Sequence, residues 1–186
     1  MRKLFLFFTL LTSFFCSRKK ENPKYATVDD LFKIIPAENR FPILLNHHLD
    51  SLHELSDSLA IKLFAKKYIS YGSYFGCFKI EFNNGFRSLI GLEKYGKTSP
   101  VESYFLITID KNGNRIDKLQ VLEFDPILVK GFHLSSDLHV SSIISQDSII
   151  VETVYPGKQK EFLIGVKKYV ITSDGKFKEI ASEFKK

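Results

Sequence analysis

Phe78-Lys79-Ile80-Glu81-Phe82-Asn83-Asn84-Gly85-Phe86-Arg87-Ser88-Leu89-Ile90 decides the fold. Phe78, Ile80 and Phe82 alternate with Lys79 and Glu81, the period of a strand with one buried face. Asn83-Asn84-Gly85 then supplies residues that tolerate positive φ, and an apolar run resumes at Phe86. Two such runs around a short Asn/Gly turn read as a β-hairpin.

The pattern repeats toward the C-terminus. Gly96-Lys97-Thr98-Ser99-Pro100 is a polar loop, and after it residues 103–109 and 116–122 flank Asp110-Lys111-Asn112-Gly113-Asn114. Residues 138–144 and 149–155 flank Ser145-Gln146-Asp147-Ser148, and residues 162–171 and 177–180 flank Ser173-Asp174-Gly175. Four successive hairpins predict an antiparallel meander of about eight strands. Residues 103–109 and 149–155 are apolar on both faces and are expected to be central or covered. The 104–113 and 169–175 segments look alike. Convergence on Asp and Gly, which tight turns demand, explains this more simply than duplication.

Before residue 74 the period is helical. Thr27-Val28-Asp29-Asp30 has the shape of a capping box, Leu31, Phe32 and Ile35 form an apolar face, and Pro36 ends the turn. Leu52, Leu55, Leu59 and Leu63 recur at three- and four-residue steps, so residues 50–67 read as a second helix, or a shorter one over 57–66 capped at Ser56-Asp57. Residues 41–45 are too short a run to assign. The expected fold is α+β: a curved antiparallel meander under an N-terminal helical layer drawn from residues 28–66. A closed eight-stranded barrel is the alternative.

Met1-Arg2-Lys3 precedes an apolar run over 4–15, broken only by Thr9, Thr12 and Ser13, and Cys16 follows. A short basic start before so brief an apolar segment is the pattern of a secretory signal peptide, and a bilayer-spanning helix needs about 20 apolar residues. The expected organisation is a signal peptide over 1–15, a lipidated Cys16 with a flexible tether over 16–26, and one β-rich domain over 27–186. Ser17-Arg18-Lys19-Lys20-Glu21-Asn22-Pro23-Lys24 is too polar to bury apolar surface. This places the protein in a bacterial cell envelope, held to a membrane by an N-terminal lipid; soluble secretion or an uncleaved anchor are the alternatives. Ser13 and Phe15 stand where the lipoprotein pattern has an aliphatic and a small residue.

The leader with its cysteine, the helix around Leu59, and the hairpin segments Thr108-Ile109-Asp110-Lys111-Asn112-Gly113 and Tyr169-Val170-Ile171-Thr172-Ser173-Asp174-Gly175-Lys176-Phe177 together resemble small lipoproteins of Bacteroidota-like bacteria. That resemblance implies an envelope location and no particular activity.

Composition narrows the function classes. The formal net charge is +6, and loss of Arg2 and Lys3 with the leader lowers it by two. The basic pairs are scattered, so no nucleic-acid partner is expected. With Cys16 lipidated, Cys77 stands alone in Tyr74-Phe75-Gly76-Cys77-Phe78 and reads as a buried, inert thiol. The 18 Phe and 8 Tyr indicate an aromatic-rich core or surface, and the absence of Trp excludes a lipocalin-type motif.

Catalytic motifs are sparse. His47, His48 and His53 lie near Asp50, Glu54 and Asp57, and on a helix Asp50, His53, Glu54 and Asp57 would share a face. Imidazoles and carboxylates so placed are candidate zinc ligands, yet no HExxH spacing exists and a solvated helix face explains them better. Asp110-Lys111-Asn112-Gly113-Asn114 superficially has the oxygens of a calcium loop, but its Gly is misplaced for an EF-hand and a hairpin turn accounts for it. His133, Ser135, Ser136, Asp137 and His139 bring triad residue types together within one loop, where they read as loop and strand-start residues. No nucleophile elbow, P-loop or dinucleotide glycine pattern is present, so no cofactor is expected. Three functions remain: a non-catalytic module that binds a protein or glycan partner or stabilises an assembly; a metal-dependent enzyme using His47, His48 and His53; and a carrier whose sheet encloses an apolar ligand, with Phe75, Phe105 and Phe132 as candidate lining.

Overall fold

The computed structural model describes residues 24–64, 72–82, 85–96, 100–125, 138–156 and 162–185. Cys16, the leader and Phe132 lie outside the described residues, as do His133, Ser135, Ser136 and Asp137.

The fold is mostly β, an open sheet of 11 strands with two short helices. Eight long strands run as a meander in which each pairs antiparallel with the next: β4 (Gly72–Ile80), β5 (Arg87–Tyr95), β6 (Val101–Ile109), β7 (Arg115–Phe124), β8 (Leu138–Ile144), β9 (Ile149–Pro156), β10 (Phe162–Ile171) and β11 (Phe177–Lys185). Three short strands come first: β1 (Ala37–Glu38), β2 (Ile43–Leu45) and β3 (His53–Glu54). β1 and β3 pair with β4, and β2 pairs with β8. β11 pairs with β10 alone, so the sheet is not closed and the barrel alternative is wrong.

The sheet folds over on itself instead. β7 and β8 share only the pairs Glu123↔Val140 and Phe124↔Leu138, with a bulge between them. A bulge bends its strand and strengthens the local twist. Beyond it β8 leaves β7 and accepts β2, with Ile43 opposite Ile144. Strands β4–β7 therefore form one leaf and β8–β11 a second. Tyr104, Leu106, Val121, Leu122, Ile144, Ile149 and Val151 fill the space between them. The two leaves also meet where the β10–β11 turn reaches β6 and β7: Thr108 Oγ1 donates to the Gly175 carbonyl at 2.6 Å, and Asp117 Oδ2 accepts the Phe177 N–H at 3.0 Å.

A second core lies on the other side of the first leaf. There α1 (Val28–Ile34) and α2 (Asp57–Phe64) place Leu31, Leu59, Leu63 and Phe64 against Leu89, Ile107 and Ile109. Each such fully buried side chain contributes about 1.5–3 kcal/mol by leaving water. The Thr27 hydroxyl caps α1, accepting the Asp30 N–H at 3.1 Å. Ser56 begins α2, its carbonyl accepting the Ala60 N–H at 2.9 Å.

The shorter of the two helices expected after residue 50 is the one that forms. Leu52 and Leu55 match a helical period, but the chain there is extended: Leu55 bridges Tyr25, and His53 and Glu54 pair with Gly76 and Phe75 of β4. Asp50, His53, Glu54 and Asp57 therefore do not share a helix face. The helical layer covers only the first leaf. β6 and β9 are both central, as expected, but only β6 is covered on both sides: in β9 Val151 faces the core while Glu152 on the other face is exposed. β9 belongs to the second leaf, which carries no helix among the described residues.

The two similar hairpins share a turn geometry. Gly113 and Gly175 have φ of 76° and 82°. Each turn is closed by two backbone bonds: the Asp110 N–H donates to the Asn114 carbonyl at 2.8 Å and the Gly113 N–H to the Asp110 carbonyl at 3.0 Å, and in the other turn the Thr172 N–H donates to the Lys176 carbonyl and the Gly175 N–H to the Thr172 carbonyl, both at 2.9 Å. The calcium-loop likeness of residues 110–114 is thus this turn, with Asp110 Oδ1 accepting the Asn112 and Asn114 N–H groups at 2.8 Å.

Candidate functional site

Glu93 and Ser103, which strand alternation buries, lie with Glu102 and Glu123 at one end of the first leaf. Ser103 stands opposite Glu123, so both point to the helix-covered face; Glu102 stands opposite Lys94 and Phe124 and points between the leaves. Two carboxylate-centred clusters result, on opposite faces of the same strands.

On the helix side a polar row crosses β4 to β7: Tyr74, Glu93, Ser103 and Glu123. The Tyr74 hydroxyl hydrogen-bonds Glu93, and both residues are buried. Glu123 accepts three bonds, from Ser103 Oγ at 2.8 Å, Gln120 Nε2 at 2.7 Å and His139 Nδ1 at 2.6 Å. Burial pushes the Glu123 carboxyl up, but these donors outweigh it and hold its pKa below the ordinary value. The same bond raises the pKa of His139 against the opposing effect of its burial. Ser103 and His139 both end on one carboxylate, so the imidazole is not placed as a base for the hydroxyl and the three do not form a catalytic triad.

Between the leaves, Glu102 accepts from His48 Nδ1 at 2.8 Å, from the Tyr104 hydroxyl at 3.0 Å and from Lys94 Nζ. The His48 ring stacks on Phe124 with centroids 3.7 Å apart. Burial again raises the Glu102 pKa and the three donors overcome it, so the carboxylate is held ionised. Cys77 lies fully buried nearby, and burial followed by the Glu102 charge pushes its thiol up to about 12. A thiol so raised is not a nucleophile at neutral pH.

The candidate metal ligands do not converge. His47 bonds Asn46 at 3.0 Å, His48 belongs to the Glu102 cluster, and His53 packs edge-on against Tyr25 at 5.8 Å. Among the described residues no group of three or more His, Cys, Asp or Glu side chains is placed to hold a metal. Of the suggested cavity-lining aromatics, Phe75 packs on the core between the leaves and Phe105 on the helix-side core, edge-on to Phe64 at 5.9 Å. Side chains fill the sheet interior there.

Among the described residues the surface carries open grooves. One, of about 360 Å³, runs along β2 where the chain crosses from one leaf to the other, beside Arg40, His47, Leu49 and Phe78. Another, of about 400 Å³, lies on the outer face of the second leaf, among Ile143, Ile150, Val166 and the charged Glu152, Lys168 and Lys185. That face has no covering element among the described residues, and Leu44, Ile143 and Ile164 are 52%, 39% and 36% exposed on it. No family model matches the chain, and no curated protein or solved structure matches it.

Glu102 and Glu123 escaped the sequence analysis. Their one signal is an acid set inside an otherwise apolar strand run, since a buried carboxylate is retained only where donors satisfy it.

Proposed function

We propose that this chain is an exported envelope module, held at a membrane by lipid on Cys16, that works by association through its sheet rather than by catalysis. The bare outer face of the second leaf carries this reading. One leaf is sealed by two helices, whereas the other leaves Leu44, Ile143 and Ile164 in contact with water. Leu44 and Ile143 stand side by side across β2 and β8, and exposed apolar surface rimmed by charge marks an interaction site. The titratable groups add support, because Glu102, Glu123, His48 and His139 are all committed to bonds that join strands and loops.

Radiolabelled palmitate tests the anchor. Full-length protein produced in a bacterium is expected to take up label and fractionate with membranes, and Cys16→Ala to lose both. Label that persists in Cys16→Ala, or a wild-type chain found unlabelled in the cytosol, overturns it. For the association role, Ile143→Asp paired with Ile164→Asp is expected to leave melting little changed and to abolish binding to the membrane-fraction partners the wild type captures. Unchanged capture counts against it.

A further inference from the structure

β11 ends the sheet. The opposite edge, β4, is covered by β1 and β3, but among the described residues β11 pairs only with β10, and eight of its nine residues are exposed. Such an edge is a template for another strand. An occupant of this edge would rest on the association role of the sheet and would give that role its partner.

The register of β11 sets which residues share a face. Phe177, Lys178 and Glu179 stand opposite Ile171, Val170 and Tyr169, but the next pair is Ala181 with Lys168, so Ile180 is an extra residue. A bulge of one residue reverses the alternation beyond it. Phe177, Glu179, Ser182 and Phe184 therefore lie on the face toward the core, where Phe184 meets Tyr155 at 6.1 Å. Lys178, Ala181, Glu183 and Lys185 lie on the bare outer face.

Two copies that join antiparallel strands in one continuous sheet are related by a two-fold axis normal to it, and facing residues must lie on the same side. An unbroken strand meets this only when the two residue numbers differ by an even amount. For pairs that span the extra residue at 180, odd differences are the matching ones. With the axis between Ile180 and Ala181, Lys178 of each copy faces Glu183 of the other, Glu179 faces Ser182, and Phe177 faces Phe184. A shift by two residues sets Lys178 against Lys185 instead. Among the described residues Lys178 makes no ion pair, and Glu183 has only the exposed Lys185 at 3.3 Å. Because Asp117 holds the Phe177 N–H, the ladder runs from Lys178 to Glu183.

We propose that two copies of this chain pair antiparallel through β11 in this register. Charges on an edge strand often keep it unpaired; here they match across the axis.

The test is sedimentation velocity of the full chain in mild detergent, with circular dichroism to check folding. The wild type is expected to sediment as a dimer. Lys178→Glu and Glu183→Lys, both exposed, are each expected to weaken dimerisation by about tenfold, since each replaces two facing pairs by like charges. The double variant Lys178→Glu/Glu183→Lys is expected to restore it. A monomer at all concentrations, single variants that dimerise like wild type, or a double variant no better than the singles each overturn the pairing. Those results leave the anchor standing, and loss of palmitate labelling with the dimer intact would strike the anchor alone.

Discussion

His139 Nδ1 lies 2.6 Å from Glu123 Oε2 at the bulge where the sheet passes from one leaf to the other. Only two backbone pairs join β7 to β8 there, so this side-chain bond reinforces the narrowest connection in the sheet. Neither side chain is more than 18% exposed, and solvent screens the pair weakly.

Stability should follow the protonation of that pair. His139 has its pKa raised from 6.5, so its contribution is complete below that value and is lost as pH climbs through the higher folded value. Glu123 has its pKa lowered from 4.5, so its contribution is present above 4.5 and is lost as pH falls through the lower folded value. His139→Asn is expected to cost about 1–3 kcal/mol between those two reference values, with the difference from wild type shrinking at higher pH. Urea unfolding across the range measures this, and a difference that grows with pH would contradict it.

Gly76 sets how closely α1 approaches the sheet. A Cβ there would stand 2.9 Å from both methyls of Leu31, which is fully buried. Gly76→Val is expected to destabilise the protein by about 1–3 kcal/mol through overpacking. In a Leu31→Ala background the same change should cost less, because the cavity left by Leu31 receives the new side chain. Denaturation midpoints of the four proteins give the coupling, and strict additivity would show that the contact is not what limits the approach.

The meander was legible because each strand carries a period of two and each turn its own chemistry, as at Asp110–Gly113 and Thr172–Gly175. The doubling-over was not. It arises from a bulge at His139, opposite Glu123 and Phe124, and from the partner β2 supplied by residues about a hundred positions earlier, and neither leaves a local pattern. The helix that reaches back to Asp50 fails for a related reason: Leu52 and Leu55 have helical spacing, but the uncovered edge of β4 recruits His53 and Glu54 as a strand. Tertiary pairing overrides local period where the period is short. Glu102 carries only the weak signal of an acid in an apolar run and was not among the expected site residues, and its bond to His48 joins residues 54 apart in the chain and had no sequence signal.

Cys77 gives a direct readout of opening between the leaves. The thiol is fully buried and its pKa is pushed up to about 12. In a Cys16→Ser background, Cys77 is expected to resist a thiol reagent at pH 8 and to react at the rate of unfolding, accelerating with urea along the unfolding limb. Fast labelling in the native state would mean that the leaves part easily.

The two glycine turns should differ in how they take a side chain. Both have positive φ, which Asn tolerates better than most residues. At Gly113 the nearest atoms to an added Cβ are 3.4 Å away, ordinary contact with Val28 and Lys62. At Gly175 an added Cβ would stand 2.8 Å from Ile116 Cδ1, and the Gly175 carbonyl is held by Thr108 across the leaves, so the turn cannot retreat without breaking that bond. Gly113→Asn is therefore expected to cost under about 1 kcal/mol and Gly175→Asn about 1–3 kcal/mol more. Thermal melts of the two variants decide it. Equal losses would show that the backbone angle alone governs both turns and that the C-terminal hairpin is not pinned against the first leaf.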